Sequence, residues 1–144
     1  MELMDLLQSR RAFREYDDQP LTSEELQPIL LAAETSPVGL GKYRNHRLTV
    51  IQDPKVLKQI QNIYQAPTLI VVSSPDPGQL EFIDAGIIVH NMELAAENEG
   101  LAANYNMACL APGIAAENGN SSGDDALFCD YFGSYQGKTD AARS

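Results

Sequence analysis

Three arginines fall within six residues, Ser9-Arg10-Arg11-Ala12-Phe13-Arg14, of a 144-residue chain whose formal net charge is -10. Positive charge concentrated in one turn of an acidic protein asks for a local anion. Phosphate is the natural candidate, because guanidinium groups grip its oxygens in bidentate fashion. No Lys or Arg follows Lys58 until Lys138, after which Arg143 is the last cation. A phosphate site would therefore draw on both ends of the chain, with Arg10, Arg11 and Arg14 from one and Lys138 and Arg143 from the other. The competing reading is a solvated basic turn that pairs with Glu15, Asp17 and Asp18.

The other chemistry-bearing residues define no site of their own. His46 and His90 are far apart and neither belongs to an HExxH pattern, so no metal site is expected. There is no GxSxG, Walker A or GxGxxG sequence. His90 lies in an apolar stretch and reads as a hydrogen-bonded core histidine, while Asp84, Glu93 and Glu97 read as solvated or capping positions. No side chain stands out as an obligatory acid or base. Cys109 and Cys129 lack CxxC spacing, which fits reduced thiols in a cytoplasmic protein.

Composition narrows the class. The length suits one domain spanning residues 1–144, and 44% hydrophobic with 21% charged residues is ordinary for a globular fold. The acidic balance argues against nucleic acid, which wants a basic face. The longest apolar runs, such as Thr68-Leu69-Ile70-Val71-Val72, fall far short of the roughly 20 residues that a membrane span needs. The opening Met1-Glu2-Leu3-Met4-Asp5 has no basic region of the secretory kind. These features together lead to the expectation of a cytoplasmic protein.

Elements that would position the arginines alternate between helix and strand. Leu3, Leu6 and Leu7 predict a helix over residues 2–9 that delivers the turn at its C-terminal end. Thr22-Ser23-Glu24-Glu25 has the capping-box pattern, with Leu21 and Leu26 placed as a hydrophobic staple, and opens a helix to about Glu34. Pro28 is expected to bend it. Ser36-Pro37-Val38-Gly39-Leu40-Gly41 reads as a loop. Strands are predicted at 48–51 and 68–73, the latter covered on both faces, with a helix over 54–63 between them. Residues 79–100 form the longest helix, apolar on every side through Ala85-Gly86-Ile87-Ile88-Val89 and therefore expected to be buried all round. Glu93, Glu97 and Glu99 should return it to solvent, and Gly100 should end it. So much apolar surface in so small a domain points to a second subunit. Farther on, 111–116 reads as a short helix, 119–123 as a loop and 126–132 as a strand.

Taken in order, these stretches resemble the FMN-dependent nitroreductase family. The run SRRAFREYDDQPLTSEELQPILLAAETSPVG is similar to that family's opening, with its Arg-rich turn, capped helix and S-P-x-G type loop. The strand at 48–51 with Asp53-Pro54, the segment Gln65-Ala66-Pro67-Thr68-Leu69-Ile70-Val71-Val72, and the helix from Asp84 to Gly100-Leu101 resemble later family elements. The likeness resumes at 126–138, where a strand runs into Gly-x-x-x-Gly-Lys.

This resemblance implies an α+β fold, a central mostly antiparallel sheet flanked by helices, in a homodimer. It implies FMN as cofactor, with the phosphate and ribityl chain held by Arg10, Arg11 and Arg14 and completed by Lys138 and Arg143. Pro37, Val38, Gly39 and Leu40 would lie along the isoalloxazine; without the resemblance, Pro37 and Gly39 read as a plain helix-to-strand turn. The implied activity is ping-pong electron transfer from NAD(P)H to nitro compounds or quinones, with no catalytic side chain identified. Departures point to an alternative, a flavin-binding or interaction module with weak turnover. Ala12 replaces a frequent Ser, Gly41-Lys42-Tyr43-Arg44-Asn45 replaces a polar-aromatic run, residues 102–125 fit poorly, and a C-terminal extension common in relatives is missing.

Overall fold

The computed structural model describes residues 1–60, 63–106 and 125–134. The helix expected at 111–116, the loop at 119–123, Cys109, Lys138 and Arg143 lie outside the described residues. Helix α1 is Leu3–Ser9 and α2 is Ser23–Glu34. The capping box forms as read, since Thr22 Oγ1 accepts from the Glu25 amide at 3.1 Å and Glu25 Oε1 accepts from the Thr22 amide at 3.0 Å. Leu21 and Leu26 both pack into the main core. Pro28 lies inside α2, which continues through it to Glu34.

Strands β1 (Arg47–Ile51), β2 (Thr68–Ser74), β3 (Ala102–Asn106) and β4 (Asp125–Gly133) form one sheet in the order β1-β2-β4-β3. Every pairing among them is antiparallel. All seven residues of β2 are buried, and the strand's period of two explains how. Ile70 and Val72 join the core beneath α2 and α4 (Gln79–Asn98), whereas Leu69 and Val71 join a second core with Ile51, Ile60, Ile63 and Ala66. A continuous apolar run is what a central strand needs when both faces are covered.

Three expectations are corrected. The helix predicted over 54–63 is only one turn, α3 (Pro54–Leu57), opened by the Asp53 side chain on the Lys55 amide. Val56, Leu57, Ile60 and Ile63 carry helical spacing because they pack on the second core. The backbone meanwhile turns away and takes left-handed φ at Tyr64 (53°) and Gln65 (58°). Second, β3 arises from Ala-Ala-Asn-Tyr-Asn, which has no β-branched residue; pairing with β4 and burial of Ala102 and Ala103 hold it. Third, α4 is not buried all round. Asp84, Ala85, Ile88, Val89, Met92, Glu93 and Ala96 are buried, but Phe82, Ile83 and Ile87 are 41%, 55% and 36% exposed. Its end is as read. Gly100 (φ 74°) donates to Glu97 O at 2.8 Å and Leu101 donates to Ala96 O at 2.9 Å, the paired bonds of a Schellman motif.

Candidate functional site

The arginine turn is held by both the sheet and the central helix. Leaving α1, the chain runs beside β3, the edge strand: the Phe13 amide donates to Ala103 O at 3.2 Å and Asn104 Nδ2 donates to Phe13 O at 3.1 Å. An edge strand with free backbone groups is covered in this way by the segment that carries the arginines. Farther along, Asp17 N donates to Ser134 O at 2.7 Å, and Gly133 leaves no room for a Cβ against Pro67 and Tyr16.

Among the described residues, the carboxylate partners of Arg10 and Arg11 are not their sequence neighbours. Arg10 donates from Nε (3.3 Å) and Nη2 (3.1 Å) to Glu93 Oε1, and the Arg11 amide donates to Glu97 Oε1 at 3.2 Å. The Arg11 guanidinium lies 4.6 Å from the centroid of the Phe13 ring. Arg11 and Arg14 are exposed and Arg10 keeps a side-chain exposure of 31%, so the turn offers cationic surface outward. Glu93, expected in solvent, is 1% exposed. Burial pushes its carboxyl above the usual range, against the lowering effect of the Arg10 charge and hydrogen bond.

A second carboxyl lies within reach of the Glu93 charge. Asp130 of β4 is fully buried, and among the described residues neither of its oxygens has a hydrogen-bond partner. Burial, reinforced by the Glu93 charge, holds its carboxyl well above the ordinary value. Tyr105 stands opposite Asp130 in the β3–β4 register, and its hydroxyl lies 3.4 Å from His90 Nδ1. His90 is therefore hydrogen-bonded as read, but half-buried rather than in the core. Burial, then the Arg10 charge, lowers its pKa.

The Pro37–Leu40 segment is set by different contacts. Asp84 is 4% exposed, not solvated; its Oδ1 accepts from the Gly39 amide at 3.1 Å and its Oδ2 lies 3.3 Å from His46 Nε2. Two turns on, Asn91 Nδ2 donates to Ser36 Oγ at 2.9 Å. Gly39 begins a 3-10 turn, Gly39–Gly41, that carries Leu40 at φ 58° with its side chain 83% exposed. Pro37 is exposed and Val38 half-buried. A Cβ on Gly39 would collide with the Leu80 side chain. Gly39→Ala is therefore expected to displace the loop from α4, which amide hydrogen exchange at residues 39–42 would report as lost protection.

The two halves of the predicted site are thus apart. At about 100° per residue, nine residues put Asp84 and Glu93 on opposite flanks of α4. The loop takes one flank and the arginine turn the other, with exposed Ile83 and Ile87 and half-buried His90 between them. Sequence reading missed Asp84, Asn91 and Glu93 as anchors because their partners are remote. Asp130 did carry a signal, a lone carboxylate inside the apolar run Ala126-Leu127-Phe128-Cys129-Asp130-Tyr131-Phe132. Among the described residues, no group of three potential metal-ligating side chains comes together.

The family model for the Nitroreductase family matches residues 7–64 and 57–116. The chain belongs to the Nitroreductase family. Solved family structures share its fold. A nitroreductase with bound FMN from Bacteroides fragilis is 22% identical, covering 96% of this chain and 91% of its own, at a TM-score of 0.83. A nitroreductase family protein from Clostridium difficile is 28% identical, with 96% and 87% covered and a TM-score of 0.82. A nitroreductase with bound FMN from Desulfitobacterium hafniense is 19% identical, with 94% and 90% covered and a TM-score of 0.82. No curated protein matches the chain. The expected α+β fold with an antiparallel sheet is therefore that of this nitroreductase family member, and no helix among its described residues is long and apolar enough to cross a membrane.

Proposed function

We propose that this chain is a cytoplasmic FMN-dependent oxidoreductase that works as a homodimer, moving electrons from NAD(P)H to nitro compounds or quinones. The observation that carries the reading is the arginine turn, docked on α4 with Arg11 and Arg14 exposed and Arg10 partly so. These residues fit a phosphate monoester, and Gly39 presents backbone where a flat ring needs close approach. FMN, when bound, would supply the redox chemistry, hydride acceptance and two-electron donation.

The protein's share is binding and orientation. Arg10, Arg11 and Arg14 would hold the phosphate and ribityl end, and the family resemblance would add the charge of Lys138 and Arg143, which lie outside the described residues. Pro37, Val38, Gly39 and Leu40 border the ring. Because turn and loop occupy opposite flanks of α4, one flavin meets both most simply if the turn of one copy faces the loop of another. The apolar strip between them then becomes the dimer contact. Donor and acceptor share one flavin face, so ping-pong kinetics follow.

The deciding measurement compares FMN with riboflavin, which lacks the phosphate. FMN should bind at least 100-fold more tightly, since each charge-assisted hydrogen bond contributes about 1.5–3 kcal/mol. Equal affinities would remove the phosphate assignment. NAD(P)H should then bleach the flavin absorbance, and a quinone should restore it; a bound flavin that does not bleach would favour a binding module without turnover.

A further inference from the structure

The Arg10 guanidinium holds Glu93, and the charge of Glu93 in turn reaches the buried carboxyl of Asp130. Glu93 on α4 is held by Arg10, whose own side chain remains partly exposed at the surface of the turn. Asp130 on β4 is buried, with no hydrogen-bond partner among the described residues for either oxygen. Among the described residues, the other titratable and charged groups around them are His90 and Glu97 of α4, Tyr105 of β3 and Arg11 of the turn. None of these gives Asp130 a hydrogen bond. An ionised carboxylate left this way in the interior is strongly disfavoured, and burial pushes Asp130 toward its protonated form. Arg10 and Glu93 then balance each other.

A phosphate arriving at Arg10 upsets that balance. It draws the guanidinium toward its own oxygens and brings negative charge up to a carboxylate that has almost no access to water. Glu93 can lower this repulsion by becoming neutral. We propose that Glu93 and Asp130 form a proton-holding pair behind the arginine turn, and that binding of the FMN phosphate at Arg10 is coupled to uptake of one proton by this pair. This rests on the FMN reading above and adds Glu93 as a positioning residue whose protonation releases Arg10 to the ligand. The sign is definite. Uptake makes FMN affinity fall as pH rises, by up to tenfold per pH unit. The phosphate's own second ionisation lies near pH 6 and contributes proton release instead, the opposite sign, which fades above pH 7.

The test is calorimetric titration of the full chain with FMN, and separately with riboflavin, at pH 7.5 in two buffers of different ionisation enthalpy. The difference in heat between buffers counts protons directly. Net uptake with FMN in excess of that with riboflavin, reduced to zero in Glu93→Gln, is the expected result. No net exchange, or net release, on FMN binding overturns the coupling while leaving the FMN assignment intact. Uptake that persists in Glu93→Gln also overturns it. If that variant does not fold, the wild-type proton count for the two ligands decides alone. If FMN binds no more tightly than riboflavin, the FMN reading itself fails and the coupling falls with it.

Discussion

Arg10→Met is expected to lower folding stability by about 3 kcal/mol at pH 8, near the lower end of what losing one partner of a buried ion pair costs. The loss comes from what remains, because Glu93 is 1% exposed and must either hold its charge without a partner or take up a proton. Its pH dependence follows from the sign of the shift. Burial raises the folded-state pKa of Glu93 in the native protein, and removing the guanidinium raises it further. A carboxyl with a raised folded value binds more protons folded than unfolded. The penalty is therefore absent below the unfolded value of about 4.3 and grows until pH exceeds the folded value. Urea titrations at pH 4.5 and pH 8 should show a small and a large deficit. Adding Glu93→Leu should restore most of the stability, since an apolar pair of similar size can replace a buried ion pair. An equal deficit at both pH values would mean that Arg10 contributes by packing alone.

Ile87→Asp should leave the fold intact and abolish the proposed dimer. Ile87 is 36% exposed and Ile83 55%, forming an apolar strip on a helix whose opposite face is packed into the core. A two-fold contact places each new carboxylate near its copy, so one substitution acts twice. Light scattering should move from twice 15.7 kDa to 15.7 kDa, with unchanged far-ultraviolet circular dichroism and loss of FMN. Ile88→Asp is a different experiment, because Ile88 is 3% exposed within this chain's own core and the variant should not fold at all. A native monomer that retains FMN would refute both the interface and the shared pocket.

The elements that the sequence by itself determined are those whose signals are local. The Thr22–Glu25 box and the Gly100 terminus need only neighbouring residues to be satisfied, the apolar run of β2 is itself a contiguous signal, and each forms where it is read. The arginine cluster is local too, and it was legible as a patch of charge. What the tertiary structure alone decided is the company these residues keep. Arg10 pairs across 83 residues with Glu93 rather than with the nearby Glu15, Asp17 and Asp18, and Gly39 pairs across 45 with Asp84. Helical spacing at 56–63 marked one buried face correctly and the wrong backbone, because a turn packed on the second core buries the same positions. Strand β3 had no signal, since its two alanines are buried by remote parts of the chain and its hydrogen bonds come from β4 and from Phe13. Periodicity records which side of a segment is dry. The three-dimensional fold decides which carboxylate is dry with it, and desolvation gives such a residue its altered chemistry.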